Sequence, residues 1–443
     1  MSEADRPHAT SEADRPRTAQ EPRLRTRARD RPRTRLPIHV LIALPLALAG
    51  LIALLVTGNA LRPFDRITTI EARMASKSDY FKDPEVQRLL LKHGLRVDIH
   101  RLGSRGIATQ SLKGMDAVFP SGQPAAKLIL NRQDHSVRSV RPFVTPLVLG
   151  TFRAYAETLE KVGVATAQPT ADGGRTLYYD LDMRKFMGLL DGTTGARKTV
   201  GDQDKDGTDE RADTWNGIGF DQAGGRSNSG RVLVRTSSVC ESNSAGTYLS
   251  ILAFVANGDS TPGAGAGDEG KAMQEAETVA AKIKPLIDLQ GMWADEQADS
   301  YLSDLGESIA PISLIYEHQY LAHQIEYEQK YGKQDTDRVL LYPTPYALTE
   351  PQLISLSDKG DRLVRVIEDD PELRRRAIEL GFRVRFSGED GTSDQLNEYL
   401  GTRGIQVPRP NRDETKVYEP DLDVLQEIIN SVGSCPPPVL DAP

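Results

Sequence analysis

Residues 81–97 read FKDPEVQRLLLKHGLRV, and their punctuation decides the fold class. Asp83 is a residue type that caps helix starts and Pro84 suits the first turn, so a helix runs through EVQRLLLKH to a stop at Gly94. Leu95–Leu102 follows at once with the composition of a strand. Working outward, the same rhythm recurs. MDAVF (115–119) reaches Pro120-Ser121-Gly122, and RPFVTPLVLGTF (141–152) leads into the helical AYAETLEKVG. LYYDLDMRKFMGLLDG (177–192) reads as strand then helix, and RVLVRTSSV (231–239) as a strand before the helix SAGTYLSILAFVANG. A long helix is predicted over 271–289, with strands at Ile312–Glu317 and Val339–Tyr342 and a second Asp-Pro start in DDPELRRRAIELGF (369–382). Short apolar runs alternating with amphipathic helices are the pattern of parallel strands joined by crossovers, an α/β fold.

The chain has 443 residues, of which 38% are hydrophobic and 27% charged, enough apolar material for two compact lobes. The net charge of −8 is uneven. Residues 1–36 hold ten arginines against six acids, so the remainder is strongly acidic and not a nucleic-acid-binding body. The tail opens with a tandem SEADRPHAT and SEADRPRTA and has nothing apolar to bury, which predicts disorder.

Pro37–Thr57, PIHVLIALPLALAGLIALLVT, has His39 as its one ionisable residue and is long enough to cross a bilayer core of about 30 Å. We therefore expect a transmembrane helix over 37–58. The arginines before it place 1–36 in the cytoplasm and the body outside the membrane. The competing reading is a cleavable signal peptide, with small residues at Gly58-Asn59-Ala60. In either case the body lies in an oxidising compartment, where Cys240 and Cys435 are expected to pair; the other reading is two buried thiols.

The residues that follow resemble a known family, the bacterial type II solute-binding proteins, whose two α/β lobes close on a ligand. In order, the resemblance rests on Ser76-Lys77-Ser78, FKDPEVQRLLLKHGLRV, Gly103-Ser104-Arg105, Phe119-Pro120-Ser121, RPFVTPLVLGTF, Ser242-Asn243-Ser244, Ile315-Tyr316-Glu317 and VLLYPTPYALTEP. It implies a two-lobed type II periplasmic-binding-protein-like fold, with lobe I at 62–145 and 339–432 and lobe II at 146–338. The hinge would lie at RPFVTP and LLYPTP. It implies capture of a small polar or anionic solute and a membrane permease or signalling partner. The alternative is an anchored sensor or scaffold with a degenerate cleft. This chain departs from the family in its proteinaceous anchor and in a first strand, ITTIEARMASKS, without a glycine-rich turn.

Strand ends and helix starts offer donors to anions. Ser76, Ser104, Arg105 and Ser121 in lobe I and Ser242, Asn243 and Ser244 in lobe II are the candidate ligand-binding residues, with Arg105 as the fork for a carboxylate or oxyanion. Glu317 is the eighth ligand-binding candidate; it would repel an anion and is read as the partner of an amine or an arginine. Asp202, Asp204, Asp206, Thr208, Glu210 and Asp213 have the spacing of an EF-hand-like calcium loop, so residues 202–213 predict a Ca²⁺ site, with Asp213 in place of the usual glutamate. No G-x-S-x-G, H-E-x-x-H, Walker loop or C-x-x-C occurs, and no enzyme is expected. His318 and His323 are read as surface residues of one helix, and Trp215 and Trp293 as core, the other reading being that they stack on a sugar.

Overall fold

The computed structural model describes residues 67–133, 136–171, 173–190, 213–223, 226–293, 297–384, 394–410 and 415–435. The tail, the segment 37–58 and the calcium-like loop up to residue 212 lie outside the described residues. Among the described residues no helix is long and apolar enough to cross a membrane.

Both Asp-Pro starts form as their chemistry dictates. The Asp83 carboxylate accepts from the Glu85 and Val86 amides at 3.1 and 3.0 Å, opening the helix Pro84–Lys92. Asp370 does the same for the helix Pro371–Glu379. Arg376 of the second helix then donates to Asp83 at 2.7 and 2.9 Å, tying the two starts together.

The first sheet runs β2 (Leu95–Arg101), β1 (Thr68–Met74), β3 (Ala117–Phe119), β13 (Leu353–Ser355), β4 (Ser139–Val140). Here β1 is parallel to β2 and β3, whereas β13 is antiparallel to β3 and β4. The second sheet runs β10 (Ile312–Tyr316), β5 (Phe143–Phe152), β11 (Arg338–Thr344), β7 (Tyr178–Asp182), β6 (Ala165–Ala167). Two short strands, β12 (Leu348–Thr349) and β14 (Arg383–Val384), pair with the first half of β5. A separate parallel pair joins β8 (Thr236–Ser237) to β9 (Met292–Trp293).

Both sheets are therefore mixed, where the sequence rhythm predicted parallel strands. The cause is β5, which enters the second sheet from the first and so runs against both neighbours, β10 and β11. Those two flank it in the same direction and are joined by the crossover helix Glu317–Tyr331, as the periodicity required. All ten residues of β5 are buried, which explains its unbroken apolar run. Of RVLVRTSSV, only Thr236–Ser237 forms a ladder; Arg231 and Arg235 make isolated bridges.

One hydrophobic core runs through both sheets and is continuous across Tyr80, Phe143 and Phe382, whose rings lie 5.4 and 4.0 Å from that of Phe143. Ile107, Val118, Ile129 and Ile354 form a smaller cluster on the opposite face of the first sheet, as strand alternation demands. β11 belongs to the second sheet, so the return to the first comes at β13 rather than at residue 339. The last helix, Leu422–Gly433, packs on the helix Glu269–Gln290 of the second lobe, and a Cys240–Cys435 disulfide fastens it there.

Candidate functional site

β1 and β2 end at Met74 and Arg101, β10 ends at Tyr316, and the helix Asn243–Ala256 begins facing them. These ends surround a cavity of about 650 Å³, a size that holds a small ligand. Helix starts carry unpaired N–H groups and a positive dipole end, and strand ends release side chains from the ladder, so the walls are rich in polar groups.

On the first-lobe wall, Ser76 and Ser104 line the cavity. Ser121 is fully buried behind them and organises both: its Oγ lies 3.0 Å from Ser76 Oγ and its amide donates to Ser104 Oγ at 2.9 Å. On the second-lobe wall, Ser242, Asn243 and Ser244 line the cavity, with the Ser242 and Ser244 hydroxyls 2.7 Å apart. Five of the eight predicted ligand-binding residues thus line the cavity.

Arg105 does not reach it. Its guanidinium crosses the seam away from the cavity and donates to Asn430 Oδ1 at 2.6 Å and to the Cys240 carbonyl at 3.4 Å. It ties the helix Ser104–Thr109 to the helix Leu422–Gly433 and to the Cys240 backbone. Glu317 is buried inside the second lobe, where Arg383 and Tyr342 occupy its carboxylate. It pairs with an arginine, one of the two roles expected of it. Asp213, the described member of the calcium-like loop, accepts from Arg231 Nε at 2.7 Å. The other proposed metal ligands lie outside the described residues.

Tyr316 is the central residue that sequence reasoning passed over. Its buried hydroxyl lies near Asn243, Ser76 and Ser244, and burial raises its pKa above the ordinary phenol range. The available signal was its place at the end of β10, the same position that singled out Ser76. Behind the ring, the fully buried Lys77 ammonium lies 3.0 Å from the ring centroid, a cation–π contact. His318 is buried rather than on the helix surface. Its ring stacks on Phe382 at 4.0 Å and its Nδ1 lies 3.2 Å from Thr145 Oγ1. Burial, aided by the Lys77 charge, lowers its pKa well below the usual value and keeps it neutral.

Among the described residues, the cavity lining sets one arginine, Arg101, against two carboxylates, Glu241 and Asp299. Trp293 also lines it and is 46% exposed, contrary to the core position expected for it, whereas Trp215 is fully buried. The lobes meet closely beside the cavity: Gly103 abuts the Glu241 backbone and Gly122 the Asn243 side chain, so tightly that a Cβ at either glycine would collide.

No protein-family model matches the chain, and no curated protein matches it. Solved structures do resemble it. The periplasmic binding protein AfuA from Actinobacillus pleuropneumoniae, with exogenous fructose-6-phosphate bound, is 10% identical over 82% of this chain and 97% of its own, with a TM-score of 0.43. Iron-bound HitA from Pseudomonas aeruginosa is 11% identical over 83% of this chain and 99% of its own, also at 0.43. The periplasmic molybdate-binding protein of Azotobacter vinelandii is 10% identical over 71% and 99%, at 0.37. These overlaps are loose, and the reading of the site rests on its own geometry.

Proposed function

We propose that this chain is an extracytoplasmic solute-binding protein that captures a small polar ligand between its two lobes. In this reading it is a binding protein and not an enzyme, tethered by a membrane-spanning segment at 37–58 and delivering its ligand to a permease of the ABC-transporter type. The observation that supports it is the cavity of about 650 Å³ into which hydroxyl and amide groups converge from the strand ends of one lobe and a helix start of the other. The loop 202–213 is proposed as a Ca²⁺ site that steadies the second lobe. With Asp213 engaged by Arg231, the ligands would come from Asp202, Asp204, Asp206, Thr208 and Glu210.

The test is thermal unfolding of the full chain, disulfide intact, against anions, amino acids, peptides, sugars and calcium. A solute at 100 times its dissociation constant stabilises by about 2.7 kcal/mol. A shift with one small solute that is lost in Ser244→Ala supports the reading. A shift with calcium alone rejects it in favour of an anchored sensor or scaffold.

A further inference from the structure

We propose that the ligand of this cleft is an uncharged polyhydroxy compound, a sugar or polyol, and that Trp293 is the platform against which it stacks. The proposal rests on the solute-binding reading above and specifies its ligand class.

The charge pattern argues against an anion. Among the described residues lining the cavity, Arg101 is the cation and Glu241 and Asp299 are the carboxylates, and Asp79 is close enough to Arg101 to feel its charge. Arg105 points away toward Asn430, and the Lys77 ammonium sits behind the Tyr316 ring. Among the described side chains lining the cavity, a carboxylate or phosphate would meet two carboxylates and one guanidinium. The uncharged polar groups that line it include hydroxyls and carboxamides, from Ser76, Ser104, Ser244, Asn243 and Gln319. Each of these both donates and accepts, which matches ligand hydroxyl groups that do the same.

Trp293 supplies the second, independent observation. Trp293 is a large aromatic left 46% exposed on the cavity wall, and it is held by its backbone and by a cation over its ring. Its backbone pairs with Ser237 in the β8–β9 ladder, and its carbonyl accepts from the Ser238 amide at 3.1 Å. The Arg235 guanidinium lies 3.8 Å from the ring centroid, and Arg235 Nε is itself fixed by Gln297 Oε1 at 2.7 Å. A ring so immobilised offers a flat apolar surface beside a ring of hydroxyls. The C–H face of a sugar, with its hydroxyls at the edge, has the complementary pattern.

The experiment is calorimetric titration of the full chain in a sugar-free detergent with glucose, maltose and myo-inositol, set against phosphate, sulfate and glutamate, with tryptophan emission recorded in parallel. Trp215 is buried, and the Trp293→Leu variant shows which of the two rings an emission change reports. The expected result is binding of a sugar or polyol with an emission change, weakened at least tenfold in Trp293→Leu and partly restored in Trp293→Phe, with unchanged melting of both variants. Binding of an anion without any sugar or polyol overturns the ligand class and leaves the solute-binding reading standing. Sugar binding unaffected by Trp293→Leu overturns the platform. Failure of every solute overturns both readings.

Discussion

Arg383 grips Glu317 at two points: Nε donates to Oε2 at 2.6 Å and Nη2 to Oε1 at 2.8 Å, with both residues buried. Tyr342 Oη donates to the same Oε1 at 2.7 Å. The clamp joins β14 to the first turn of the helix Glu317–Tyr331, directly after the strand that ends at Tyr316 in the cavity wall. Removing one partner strands the other charge away from water. Glu317→Ala is therefore expected to destabilise by about 3–5 kcal/mol, read from urea unfolding. The paired change Glu317→Leu with Arg383→Met should cost far less, and an equal loss in the double variant would contradict the charge argument.

Glu419 carries a pH signature. Burial of its carboxyl group, which accepts from Thr247 Oγ1 at 2.9 Å, pushes its pKa up to about 7 from the ordinary 4.5. The folded chain thus holds a proton that the unfolded chain has released, and its stability contribution falls as pH rises from about 4.5 to 7. Denaturant midpoints across that window should decline, and Glu419→Gln should flatten the decline.

Asp335 has the opposite sign. Against the effect of burial, hydrogen bonds from His323, Arg338 and the Asp337 amide hold its pKa well below the carboxylate range. Its contribution is present above the unfolded value of 3.8 and disappears as pH falls below it. Asp335→Asn is expected to be less stable than the parent at pH 7 and to approach it under acid.

The Cys240–Cys435 bond closes a separation of 195 residues. Chain entropy gives an upper value of about 5 kcal/mol for a loop of that length. Cys435→Ser should lose much of this in thermal unfolding, and hydrogen exchange should rise first in the helix Leu422–Gly433. Unchanged exchange there would remove the disulfide's role in fastening that helix.

Gly103 and Gly122 set how closely the lobes approach. A methyl group at Gly103 would strike the Glu241 carbonyl, where backbone cannot swing aside. Overpacking of this kind costs about 1–3 kcal/mol, so in Gly103→Ala the seam should widen instead. Small-angle scattering should show a larger radius of gyration and titration a weaker ligand. A compact variant with full affinity would mean the seam does not govern closure.

Much of this protein was legible in its sequence because the signals were local. The Asp83-Pro84 and Asp370-Pro371 starts, the strand at Leu95, the crossover helix after β10 and the serines at strand ends all follow from the residue and its near neighbours. Local chemistry also restricted Glu317 to a basic partner and made Cys240–Cys435 a candidate bond. Tertiary structure alone decided the rest, since direction and partner depend on residues far apart in the chain. It turned β5 against both neighbours, sent Arg105 to Asn430 instead of the cavity, and chose Arg383 for Glu317. It also buried His318 and held Trp293 at the cavity wall, because burial is a property of what packs against a side chain and not of the side chain itself.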